Sequence, residues 1–121
     1  MNIPKELRYT KDHEWVRFEA AGEAKVGITE YAQNALGDIV YVELPPVGSV
    51  FAAGGVAATV ESVKAASEVF SPVSGKVAAV NDKLTGAPEL LNKDPYGEWI
   101  FMLFGIGSET LLTADEYAAL L

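Results

Sequence analysis

The stretch VAATVESVKAASEVFSPVSGKVAAV, Val56 to Val80, decides how the chain is read. It is rich in β-branched and small apolar residues and is interrupted twice by turn formers. Three strand-like runs result: Val56 to Val63, Glu68 to Phe70, and Lys76 to Val80. SPVSG, Ser71 to Gly75, supplies the second turn. The first turn holds a lysine, Lys64, within ESVKAASE, with a carboxylate at each end, Glu61 and Glu68. Ser62 and Ser67 are placed to hydrogen-bond the turn backbone. Turns project from the surface, so Lys64 is expected at a hairpin tip as a primary amine on a flexible stem. Ala65 and Ala66 leave its approach sterically open. Spacing alone leaves two readings: a solvated surface lysine, which is the commoner case, or a lysine held out for a partner.

The flanking sequence is also mostly strand. Trp15 to Glu19 and Ala24 to Ile28 flank the turn-rich AAGE and predict a hairpin. TEYAQNALG predicts a short helix capped by Thr29 and stopped by Gly37. Asp38 to Pro45, DIVYVELP, reads as a central strand ended by Pro45-Pro46. LTGAPELLNKDPYGE reads as loop with one helical turn at Glu89 to Leu91. Trp99 to Phe104, WIFMLF, reads as a buried strand by its continuous apolar run. Thr113 and Glu116 predict a capping box, with Leu112 and Tyr117 as its hydrophobic staple. The helix that follows is expected to pack Tyr117, Leu120 and Leu121 on the body. No linker or low-complexity tract divides the chain. The expectation is one domain over residues 1–121, a small β-rich barrel or sandwich with two or three short helices.

Composition excludes several functions. Seventeen acidic against nine basic residues give a net charge of −8. That disfavours a phosphate-backbone partner and suits basic patches on other proteins. Without cysteine there is no disulfide, thiolate metal site or cysteine nucleophile. His13 is the one histidine, and no serine sits in a nucleophile elbow. Gly54-Gly55 lacks the lysine-serine pair of a phosphate loop. No apolar run approaches the roughly 20 residues of a membrane helix. MNIPKELRYT has neither a signal core nor a transit-peptide composition, so the expected location is the bacterial cytoplasm.

Five motifs, in order, resemble the H-protein family of the glycine cleavage system. They are YTKDHEWV (Tyr9 to Val16), VGITEYAQNALGDIVYVELPPVG (Val26 to Gly48), ESVKAASE with the following VFSPVSGKVAAVN, PELLNKDPYGEW (Pro88 to Trp99) and the terminal ADEYAALL. The resemblance spans nearly the whole chain. It implies a barrel-sandwich hybrid like that of lipoyl and biotinyl carriers, with a C-terminal helix. It implies a non-catalytic shuttle with lipoic acid joined to Lys64 through an amide. The arm then takes an aminomethyl group from the glycine decarboxylase (P protein) and presents it to the tetrahydrofolate-dependent aminomethyltransferase (T protein). Dihydrolipoamide dehydrogenase (L protein) reoxidises it. A lipoate-attaching enzyme is a further partner, and a monomer is the default state.

The resemblance also implies a surface cleft that shields the loaded arm from water. By position in the motifs, Glu14 and Glu68 are its candidates for holding the amine. The plain alternatives are a solvated residue at a strand start for Glu14 and a turn carboxylate for Glu68. Glu61 and Glu68 are either acidic markers for the attaching enzyme or solubilising residues. His13 is either a cleft residue or a surface histidine, the second being favoured. Some family members carry a helix histidine where this chain has Ala35, which leaves the grip on the arm open. DPYGEW and FGIGSETLL are shorter than the family's commoner pattern. Competing readings are a lipoyl or biotinyl domain of another complex, a lipoyl relay to other proteins, an interaction module with unmodified Lys64, and a hydrolase built on Glu14 and Glu68.

Overall fold

The computed structural model describes residues 1–121. In chain order its elements are β1 (Arg8–Tyr9), β2 (Glu14–Phe18), β3 (Glu23–Ile28), α1 (Glu30–Leu36), β4 (Ile39–Glu43), β5 (Val50–Phe51), β6 (Val56–Ser62), β7 (Ala66–Phe70), β8 (Gly75–Val80), α2 (Lys83–Gly86), α3 (Leu90–Lys93), β9 (Phe101–Phe104) and α4 (Ala114–Ala118). Six strands form one antiparallel sheet in the order β1-β2-β3-β9-β8-β5. The other three form a second, β4-β6-β7.

Alternation along the strands sorts the side chains. Val16 lies opposite Val26, and Val26 opposite Phe101, so all three share the inner face. Val26, Ile28, Val77, Phe101 and Leu103 of the larger sheet pack with Ile39, Val42, Val60 and Val69 of the smaller one. Burying each such side chain contributes about 1.5–3 kcal/mol. Trp15 faces the other way and joins Leu7, Tyr9, Ala114 and Tyr117 in a second cluster beneath α4. The rings of Tyr9 and Tyr117 stack at 4.8 Å. The capping box of α4 forms as the sequence predicts, with Thr113 and Glu116 bonding each other's backbone N–H.

The structure departs from the sequence reading at several points. The DIVYVELP strand, β4, is an edge of the three-stranded sheet, and β6 is its centre. A register shift between Ile39 and Tyr41 leaves Val40 and Tyr41 exposed, so the continuous apolar run here does not mean two covered faces. In β9, Phe101 and Leu103 are buried while Phe104 is exposed. That strand is central in pairing yet covered on one side only at this end. Leu120 and Leu121 do not pack on the body, because α4 ends at Ala118 and carries only Ala114 and Tyr117 inward. The two-residue strands β1 and β5 and the turn of helix α2 escaped the reading, being too short for any periodicity.

Gly27 marks the tightest packing. A Cβ there would fall 2.4 Å from Cζ2 of the Trp15 indole, which is itself fully buried. Strand propensity alone predicts that Gly27→Ala stabilises. The packing predicts instead a loss of roughly 1–3 kcal/mol, read as a lower urea midpoint. Gly86→Ala, where the added methyl meets nothing within 4 Å, should be tolerated.

Candidate functional site

Lys64 stands at the tip of the β6–β7 hairpin and is exposed. The turn is held mainly by one side chain. The Ser62 hydroxyl accepts from the N–H groups of Lys64 (3.3 Å) and Ala65 (3.1 Å) and donates to the Ala65 carbonyl (3.2 Å). The Ser62 N–H donates to that same carbonyl at 2.7 Å, and the Val63 N–H donates to the Asp38 carbonyl at 3.0 Å. Ser62 therefore does what the sequence suggested, whereas the Ser67 hydroxyl takes no part in the turn. The Lys64 ammonium is in none of the chain's ion pairs.

The lysine stem passes beside Gly37, where a Cβ would lie 3.6 Å from Lys64 Cε. Gly37 ends α1 at φ 76°, ψ −153°, a backbone state suited to glycine. Asn92 of α3 fixes this platform. Its amide donates to the Gly37 carbonyl (2.9 Å) and to Gln33 Oε1 (3.0 Å), and its Oδ1 accepts from the Ile39 N–H (2.9 Å). Nothing in local sequence pointed to Asn92, since its partners lie more than fifty residues away.

At the far end of β7 lies an open groove of about 300 Å³. Tyr9, Thr10, Lys11, Asp12 and Glu14 form one wall. Phe70, Ser71 and Pro72, with Thr110 to Leu112, form the others. Glu14 is 2% exposed, so it is no solvated strand-start residue. Period-two alternation puts it on the inner face with Val16. Its carboxylate is satisfied by two donors: the Thr10 hydroxyl at 2.6 Å and the Phe70 N–H at 3.1 Å. Burial pushes its pKa up to about 7, against the lowering effect of these two bonds and with a smaller push from Asp12. The groove thus combines apolar walls with a buried carboxylate, a hydroxyl, and an exposed Lys11 and Asp12 whose opposite charges offset each other. A hydrocarbon chain ending in an ammonium group fits that chemistry.

The structure does not bring Glu68 to this groove. Glu68 is exposed on β7 opposite Thr59, on the face away from buried Val69. Glu14 and Glu68 therefore form no paired-carboxylate centre, and no group of acidic or histidine residues is arranged to hold a metal. Ala35 is exposed in the last turn of α1 and is not part of the groove wall. His13 is not a free surface histidine. It is half-buried, with Nδ1 2.7 Å from the Tyr117 hydroxyl and its ring stacked on Tyr31. The sequence missed Thr10 and Asp12 as groove residues. They lie in the same turn as Glu14, which is the signal that would have found them.

Residues 7–121 match the pattern of the glycine cleavage H-protein family. The chain belongs to that family. It is 60% identical, over 96% of its length and 94% of the relative's, to glycine cleavage system H protein 2 of Pseudomonas syringae pv. tomato. It is 54% identical, over 99% of its length and 97% of the relative's, to the protein of the same name from Pseudomonas putida. A crystal structure of a glycine cleavage system H protein from Mycobacterium marinum superposes with a TM-score of 0.90 at 40% identity, covering 97% of each chain. The fold is therefore the expected barrel-sandwich hybrid. Proteins of this family are lipoyl carriers rather than enzymes and serve the other components of the glycine cleavage system. No helix of the chain is long and apolar enough to cross a membrane.

Burial of Glu14 has a consequence for stability. Its carboxyl is neutral in the folded chain up to about pH 7 but ionises near 4.5 once unfolded. The unfolded state therefore binds fewer protons between those values, and stability falls as pH rises through that window. The loss amounts to roughly 3 kcal/mol, at about 1.4 kcal/mol per pH unit. Denaturant midpoints between pH 4.5 and 7.5 should fall in the wild type and stay nearly level in Glu14→Gln.

Proposed function

We propose that Lys64 is the lysine that carries the lipoyl group and that the groove around Glu14 shelters the loaded arm. The observation that carries this reading is the tip itself: an exposed lysine outside every ion pair, on a turn locked by Ser62. Amide formation removes the lysine's charge, and here no partner loses its counter-charge. Small neighbours at Ala65 and Ala66 let an attaching enzyme close on the amine. The exposed carboxylates of Glu61 and Glu68 flank the tip as acidic marks for that enzyme.

Held on Lys64, the lipoyl group would supply a dithiolane able to carry an aminomethyl group between the P, T and L proteins. The protein's own contribution is presentation and protection. Presentation falls to the hairpin, whose fixed tip turns transfer between partner sites into a problem of effective concentration. Protection falls to the groove. β7 has five residues and spans roughly 16 Å at the usual strand rise, so a lysine stem bearing an extended acyl chain can run along it. At its end Phe70, Pro72 and Leu111 exclude water from the chain. Glu14, with the Thr10 hydroxyl beside it, holds the ammonium. That charge also favours the ionised form of Glu14, so Glu14 releases a proton as the amine seats. The chain works in this reading as a single lipoyl-carrier domain, monomeric and in the bacterial cytoplasm.

The attachment site is tested by intact mass after co-expression with a lipoate-attaching enzyme. The wild type should gain one lipoyl unit and Lys64→Arg none. The Arg variant keeps the charge, so its failure to gain mass cannot be assigned to electrostatics. An unmodified wild type, under conditions that lipoylate a known acceptor, would rule out Lys64 as the carrier lysine.

A further inference from the structure

His13 is the only residue other than glycine with a left-handed backbone, at φ 70°. Side chains other than glycine hold that state under backbone strain. The residue closes the β1–β2 turn. Its N–H donates to the Thr10 carbonyl at 3.2 Å, the Thr10 N–H donates to the Glu14 carbonyl at 3.0 Å, and the Thr29 N–H donates to the His13 carbonyl at 3.0 Å. The next residue along is Glu14. The backbone turn at His13 therefore leads directly into the first residue of β2, the one that carries the groove carboxylate.

Something must keep the imidazole where it is. Its Nδ1 lies 2.7 Å from the Tyr117 hydroxyl, and that hydroxyl lies 2.8 Å from Thr29 Oγ1. The protons in this chain are placed by elimination. Thr29 Oγ1 already accepts from the Ala32 N–H as the cap of α1. The Thr29 side chain is fully buried and has no other acceptor for its own proton, so it donates to Tyr117. Tyr117 in turn donates to His13 Nδ1, and the imidazole is neutral with its proton on Nε2. Burial holds the His13 pKa below its ordinary value, against the opposing Asp12. Tyr31 covers one ring face at 4.4 Å, and Tyr117 meets the ring edge-on at 5.7 Å. Asp12, Glu14, Tyr31 and Tyr117 are thus the titratable groups around it.

We propose that His13 is a positioning residue: the hydroxyl relay from Thr29 through Tyr117 locks its left-handed turn, and that turn aims the Glu14 carboxylate at the Phe70 N–H and the groove. In this way the C-terminal helix α4 reaches the groove without lining it. The functional value of the aim rests on the reading of Glu14 as the holder of the amine. The positioning itself does not.

The test uses Tyr117→Phe, which removes the hydroxyl and keeps the buried ring, and His13→Gly, which suits the backbone and removes the anchor. Amide hydrogen exchange of Phe70 reports the bond to Glu14, and carbon-detected titration reports the Glu14 carboxyl. Both variants should speed Phe70 exchange about tenfold, a typical cost of one hydrogen bond to a charged or polar acceptor. They should also move the Glu14 midpoint away from about 7, because its burial and its bond to Phe70 change together. Amides in the centre of the sheets, Val60 and Leu103, should keep wild-type rates. Unchanged Phe70 exchange and an unchanged Glu14 midpoint in both variants overturn the proposal, as does a uniform acceleration of all amides, which reports only lost stability. Separately, the lifetime of the loaded arm is compared in Glu14→Gln and wild type. Equal lifetimes alongside a Phe70 response remove Glu14 from the protective role and leave the positioning by His13 standing.

Discussion

The site depends on one buried carboxylate. Glu14 belongs to the six-stranded sheet, yet it accepts a hydrogen bond from Phe70 at the end of the three-stranded one. That bond pins the edge strand β7 at the end opposite its lysine-bearing tip. Removing one partner of a buried polar pair costs the desolvation of the other, so the connection is hard to lose in the folded state. It is also poised: a carboxyl whose pKa is raised to about 7 by burial responds to an arriving cation more than an ordinary surface glutamate would.

In the proposed reading, the two ends of β7 face opposite physical demands. At the tip, an attaching enzyme needs a lysine free of partners on a backbone that does not move. Ser62 meets the second demand with three hydrogen bonds inside the turn, and the small residues around Lys64 meet the first. At the groove, a reactive group needs exclusion from water and an acceptor for its amine. The fold supplies apolar walls from several distant segments and a single inward carboxylate. Between them runs an exposed strand with small side chains at Ala66 and Ser67.

How much of this the sequence carried depended on range. The hairpin from Val56 to Phe70, the caps of α1 and α4, and the exposed lysine were readable because each is set by residues within a few positions. The central placement given to β4 failed because pairing order is a property of the whole sheet. Burial of Glu14 was written in the alternation Glu14-Trp15-Val16, but a carboxylate at a strand start is usually solvated, and its donor at Phe70 is 56 residues away. The partnership of His13 with Tyr117 spans 104 residues, so local pattern left the histidine on the surface. Asn92, which steadies the platform beside Lys64, was hidden for the same reason.

The most direct measurement of the account is a residue-by-residue comparison of backbone amide shifts in the unlipoylated protein and in the lipoylated protein with its arm loaded. A sheltered arm shifts the amides at the tip and again at Thr10, Glu14 and Phe70, and leaves the sheet centres unmoved. Changes confined to Ser62 through Ala66 would contradict that shelter, because the arm would then leave the tip without ever reaching the groove.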